Sequence, residues 1–112
     1  MTTRTYRVQA TGQFVGLTPV LETRLRDEQA DHDVFVSAFT PEGTFTYAPS
    51  LTRFTLRYLL EVEEVPAAEA DAAVLVEGEL LAADFLASRG LTHKPLTVTA
   101  VCMQDVKVKR SR

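Results

Sequence analysis

Apolar and polar residues alternate most cleanly over Arg53–Glu63, where Phe54, Leu56, Tyr58, Leu60 and Val62 recur with period two and Thr55, Arg57, Glu61 and Glu63 fall between them. Successive side chains of a strand point to opposite faces of a sheet, so this pattern predicts a half-buried strand on which the rest of the chain packs. Tyr6–Phe14 repeats the alternation, with Tyr6, Val8, Ala10, Gly12 and Phe14 against Arg7, Gln9, Thr11 and Gln13. After Gly16, Thr18-Pro19 reads as a helix N-cap followed by proline at the first helical position. The helix is expected over Pro19–Ala30, with Leu21 and Leu25 inward. Asp33–Thr40 reads as a second strand whose two faces both need cover, because Val34 and Val36 oppose Phe35 and Phe39. Thr40-Pro41-Glu42-Gly43 is a turn, and Thr44–Tyr47 returns from it as a short strand. From Pro66 to Arg89 alanine, leucine and glutamate dominate, with Val74, Leu81 and Phe85 on a common stripe and Gly90 as C-terminal cap. Leu96–Val108 is the last strand, Val98, Ala100, Cys102, Val106 and Val108 facing one way.

The predicted order is strand, helix, strand, strand, strand, helix, strand. It describes an α+β domain close to a ferredoxin-like two-layer sandwich, with helices on one face of a mainly antiparallel sheet. The extra strand creates a conflict of direction: either Thr44–Tyr47 lies outside the main ladder or the sheet is mixed. A sheet covered on one side leaves the other to water, a ligand or a second copy. That open face collects Arg7, Gln9, Thr11, Gln13, Thr55, Arg57, Leu59, Thr97, Thr99, Val101 and Met103, and Val34–Phe39 adds apolar groups to it in either register, so it is too apolar for a solvated surface and too polar for a core. Leu59, Val101 and Met103 are its candidate contacts in a homodimer.

At 112 residues the chain reads as one domain over 1–108 with a basic tail at 109–112. A chain of this size removes about two-thirds of its unfolded surface from water, enough for an unaided core. No run approaches the roughly 20 apolar residues of a membrane span, and Met1–Arg7 lacks the apolar stretch of a signal peptide, so a cytoplasmic protein without membrane association is expected. One cysteine excludes an internal disulfide, and with only two histidines no metal or cofactor is expected. The net charge of −3, with both signs interspersed, gives no general attraction to nucleic acid.

Candidate chemistry is sparse. His32-Asp33 is a possible base pair, though its position at a helix end fits a C-cap better. Glu42 and Tyr47 with Arg53 or Arg57 form a possible acid, phenol and guanidinium cluster around a polar ligand, set against the plainer reading of a turn glutamate, a core tyrosine and cross-strand arginines. His32, Glu42, Tyr47 and Arg57 are the candidate ligand-binding residues. Cys102, in the apolar phase of its strand, reads as a small core residue.

Gly12-Gln13-Phe14-Val15-Gly16 leading into a helix resembles acylphosphatase in outline. That chemistry needs a cation near the glycine loop and an amide to orient water. No arginine or lysine lies between Arg7 and Arg24, Pro19 removes an N–H donor, and the chain has no asparagine, so the enzyme is excluded and the layout alone is retained. A nearer likeness rests on Arg4-Thr5-Tyr6-Arg7-Val8, His32-Asp33, Phe39-Thr40-Pro41-Glu42-Gly43, Thr46-Tyr47, Phe54-Thr55 and Arg57. These resemble a group of short bacterial proteins known only as a domain of unknown function, which implies one compact domain and leaves the activity open. The expected function is a non-enzymatic, homo-oligomeric module binding a small metabolite or protein partner through the open sheet face. The alternative is a small cofactor-free enzyme of the dimeric α+β-barrel kind, acting on a polar aromatic or acidic molecule through His32, Tyr47 or Arg57.

Overall fold

The computed structural model describes residues 3–33, 37–63 and 66–103. Its elements are strand β1 (Thr3–Val15), helix α1 (Pro19–Asp27), a 3-10 turn over Gln29–His32, strands β2 (Thr44–Tyr47) and β3 (Arg53–Glu63), helix α2 (Ala67–Ser88), and strands β4 (Thr92–His93) and β5 (Thr97–Cys102). The sheet has five strands in the order β2-β3-β1, and the far edge of β1 is shared by two short partners. β4 pairs with Phe14 and Val15, and β5 pairs with Tyr6 through Thr11. Every ladder is antiparallel. β1 pairs with β3 from Thr3↔Glu63 to Gln13↔Arg53.

Register assigns the faces, because side chains directly opposite in an antiparallel pair lie on the same side. Tyr6, Leu60 and Cys102 align across three strands, as do Val8, Tyr58 and Ala100, then Ala10, Leu56 and Val98. Phe45 and Tyr47 join this face opposite Leu56 and Phe54. It is the core face, and it also takes Leu25 of α1 and Ala70, Val74, Ala82 and Leu86 of α2 into one buried cluster. The α2 residues that meet the sheet are therefore mostly small, spaced by four, with Gly78 between them. Small residues let the helix axis come close to the strands. Leu81 and Phe85 are half-buried flanks of that stripe.

Both helix boundaries follow local chemistry. Thr18 is extended (φ −78°, ψ 161°) and its Oγ1 accepts from the Leu21 N–H at 3.2 Å, capping α1 with Pro19 in its first turn. α1 stops at Asp27 rather than Ala30, because the positions after Leu25 that would continue its apolar stripe are Glu28 and Gln29. At the end of α2 the Gly90 N–H donates to Ala87 O at 3.0 Å and the Leu91 N–H to Leu86 O at 3.0 Å. With Gly90 at φ +71° and Leu91 buried, this is a Schellman cap with its hydrophobic contact.

One predicted element is replaced. Asp33 and Ser37–Phe39 are not in a strand, Val34, Phe35 and Val36 lie outside the described residues, and Thr40 touches the ladder only through an isolated parallel bridge to Tyr58. Thr44–Tyr47 is the true neighbour of β3, so the conflict of direction disappears. The reason lies in the edge itself: β2 occupies β3 from Phe54 to Arg57, leaving the earlier segment the Leu59 N–H, which donates to Thr40 O at 2.8 Å.

The last strand begins at Thr97, next to its expected start at Leu96, and an unpredicted two-residue strand precedes it on the same edge of β1. His93 ends β4 and Thr97 begins β5, with Pro95 between them unable to donate to a ladder. Residues 104–112, which include the expected end of this strand and the basic tail, lie outside the described residues.

Candidate functional site

The four candidate ligand-binding residues divide between the two faces. His32 and Tyr47 meet on the core side, their rings stacked with centroids 5.5 Å apart. The His32 Nδ1 lies 2.8 Å from Phe45 O, and since a carbonyl only accepts, Nδ1 carries the hydrogen. Nε2 faces Glu28 Oε1 at 3.8 Å, and the same oxygen is 3.3 Å from Arg89 Nη1. The Arg89 guanidinium in turn lies over the rings of Phe85 and Phe45, at 5.0 and 6.0 Å. The histidine thus fastens the 3-10 turn to β2, and Glu28 and Arg89 fasten both to the end of α2.

Tyr47 is 1% exposed and its O–H donates to Leu25 O at 2.6 Å. Leu25 O is one of the carbonyls that a helix C-terminus leaves without an intrahelical partner, so the phenol completes the end of α1. Tyr6 ties β1 to the other helix through a side chain, donating to Asp71 Oδ1 at 2.6 Å. Burial, with the Glu28 and Asp31 charges behind it and Arg89 opposing, pushes the Tyr47 phenol up to about 12. Burial raises Tyr6 and Tyr58 as well, Asp71 adding to the effect at Tyr6.

The three tyrosines of the chain therefore titrate late in the folded state. An unfolded phenol loses its proton near pH 10. Between pH 10 and about 12 the native protein holds a proton at Tyr47 that the unfolded chain has released, so stability is complete below pH 10 and falls as pH rises through that window. Spectrophotometric titration of phenolate, followed together with circular dichroism, should show ionisation coinciding with unfolding. In Tyr47→Phe the alkaline loss of stability should become shallower. Free titration of all three phenols near pH 10 in a folded protein would contradict the buried placement.

Arg57 stands on the opposite side of the sheet, beside Gln9 and Thr44 by register. Its Nε donates to Gln9 Oε1 at 2.9 Å and its Nη1 to Ser37 Oγ at 2.7 Å. Two guanidinium groups meet the Phe39 ring, Arg57 at 5.3 Å and Arg7 at 5.5 Å from its centroid. The segment leading to Thr40 therefore returns over the open face, and Thr44 Oγ1 holds it by donating to Ala38 O at 2.5 Å. Apolar groups of this segment are expected on the open face in either register, and Phe39 supplies one, although it comes from a crossing segment and not from a strand. The Ser37 contact to Arg57 was not predicted. Glu42 is exposed in the turn, apart from both groups.

Leu59 and Val101 lie directly across from Arg7 on its two sides, and Val101 is 49% exposed. Met103, half-buried, follows the end of β5. Cys102 is buried opposite Tyr6 on the core face. Among the described residues, no group of three or more His, Cys, Asp or Glu side chains could hold a metal ion, and no helix is long and apolar enough to cross a membrane.

The chain belongs to the family of unknown function DUF6204, whose model matches residues 1–112. No curated protein and no solved structure matches it.

Proposed function

We propose that this member of a family of unknown function is a non-enzymatic module of ferredoxin-like layout that pairs with a second copy of itself through the open face of its sheet. Taking β4 and β5 as one interrupted edge strand leaves strand, helix, strand, strand, helix, strand along the chain with β1 and β3 central, which supports the layout. The observation that carries the function is the patch made by Leu59, Arg7 and Val101 in register across three strands. Arg7 is drawn onto the Phe39 ring, so apolar surface continues across the face where the alternation of β1 puts a charge. A second copy suits this patch because a two-fold interface is self-complementary and sets Leu59 and Val101 against apolar groups of the same kind.

The enzymatic alternative needs at least two of His32, Tyr47 and Arg57 around a common point in a cavity. The first two meet on the core face and the third lies on the opposite face, with the sheet between them. That separation favours the module.

Light scattering on the purified native chain is expected to give twice the chain mass, and Leu59→Lys/Val101→Lys a folded protein of single-chain mass. Both positions point away from the core, so the variant should retain the native circular dichroism. Single-chain mass for the native protein, or an unchanged dimer in the variant, would defeat the reading.

A further inference from the structure

We propose that the other end of the open face is a binding site for a small oxyanion, a phosphate or carboxylate group, held between Arg53 and Lys94. A cleft of 290 Å³ lies there, lined by Thr11, Gly12, Gln13, Arg53, Lys94, Pro95 and Thr97. The cleft has a cause in the sequence. The Lys94 N–H still donates to Gln13 O at 3.0 Å, holding the edge strand to β1. Pro95 then ends the ladder and Leu96 turns to the core face, where its Cδ2 and the Phe54 ring fill the space beside Gly12. The chain rejoins β1 at Thr97, opposite Thr11, and the step between Lys94 and Thr97 leaves the outer surface hollow.

The lining is chemically one-sided. It carries a guanidinium, an ammonium, a carboxamide and two hydroxyls, and no carboxylate. Among the described residues the side chains of Arg53 and Lys94 have neither an ion pair nor a hydrogen bond, whereas Arg89 is paired and Arg57 is hydrogen-bonded. An arginine fork can meet two oxygens of a carboxylate or phosphate at once, and a lysine adds a mobile point charge from the facing wall. The protein as a whole is acidic, at −3, so anions are not drawn to it generally and the positive charge here is local. The volume sits at the lower end of the range for small-molecule sites, about 300–1,000 Å³, which suits a metabolite-sized anion and not a polymer.

The site does not rest on self-association. Gln13 and Arg53 lie six residues along β1 from the Arg7–Leu59 pair, about 20 Å at strand rise, so the cleft and the pairing patch use different residues.

Amide-resolved NMR titration tests the site, with inorganic phosphate and succinate as separate probes and sodium chloride holding ionic strength constant. Saturable shifts are expected at Thr11, Gly12, Gln13 and Thr97 with at least one probe, and the probe that saturates tells phosphate from carboxylate recognition. Losing a charge-assisted contact should weaken binding at least about tenfold in Arg53→Gln, with a smaller loss in Lys94→Gln. Both side chains are exposed, so the melting temperature should not move, and the mass by light scattering should match the native protein whatever that mass is. Absence of saturation with both probes, or equal affinity in native protein and Arg53→Gln, would overturn the proposal without bearing on the dimer.

Discussion

Phe54→Ala is expected to cost about 3–5 kcal/mol of folding stability, the range for removing a large aromatic side chain from a packed core. Phe54 is 1% exposed and its ring contacts Phe14, Phe45 and His93 with centroids at 4.9, 6.0 and 6.1 Å. The ring also occupies the space above Gly12, whose missing Cβ would stand 2.7 Å from Phe54 Cζ. Truncation therefore opens a void at the junction of β1, β2 and β3, and the backbone at Gly12 has no side chain to fill it. Domains of this kind have about 5–15 kcal/mol in total, so one change takes a large fraction of the reserve. Urea unfolding should show a lower midpoint with the slope retained, while Thr99→Ala on the exposed face should stay within about 0.5 kcal/mol of native. A cost below about 1 kcal/mol for Phe54→Ala would mean that this end of the core is not packed as described.

Gly78→Ala is expected to destabilise, against the usual sign. In an exposed helix interior alanine is favoured over glycine by about 1 kcal/mol. At Gly78 a Cβ would lie 2.6 Å from Val8 Cγ1 and 3.5 Å from Val98 Cγ1. Val8 is fully buried and β-branched, with a single comfortable rotamer to hold, so the contact is relieved only by lifting α2 from the sheet. Overpacking of this kind costs about 1–3 kcal/mol, enough to outweigh the gain in helix propensity. The double variant Val8→Ala/Gly78→Ala should be more stable than the sum of the single changes implies, because the new methyl enters the space the valine leaves. Additive effects in the cycle, or a stabilised Gly78→Ala, would place α2 farther from β1.

Much of the scaffold was legible in the residues. The alternation in Tyr6–Phe14 and Arg53–Glu63 is a local property, and the two stretches pair along β1 and β3 with their apolar phases on one side. Thr18-Pro19 and Gly90 act as caps because capping depends on a residue and its next few neighbours. The open face was legible in part. Membership of the open face follows from strand phase, and Arg7, Gln9, Arg57, Leu59 and Val101 are there as expected. The grouping of candidates was not, because His32 and Tyr47 come together with Glu28 and Arg89 through the docking of α2's end. Arg53 was weighed only beside Glu42 and Tyr47, whereas its neighbours in the cleft are Gln13 and Lys94.

What the chain determines by itself is the set of elements and, within each, the side that faces inward: hydrophobic periodicity acts over a few residues and needs no partner to be read. Tertiary structure decides which edges those elements occupy. Thr44–Tyr47 and the Asp33–Thr40 segment both lead toward the same edge of β3, and its hydrogen-bonding groups from Phe54 to Arg57 can serve one neighbour. β2 takes them, so Thr40 is left with a bridge and the Phe39 ring meets Arg7 and Arg57 on the far face. Competition for a limited row of donors and acceptors is a property of the assembled sheet. At the opposite edge the two combine: Pro95, a local feature, interrupts the ladder between β4 and β5, and the fit of Leu96 against Gly12 and Phe54 shapes the cleft at Arg53 and Lys94.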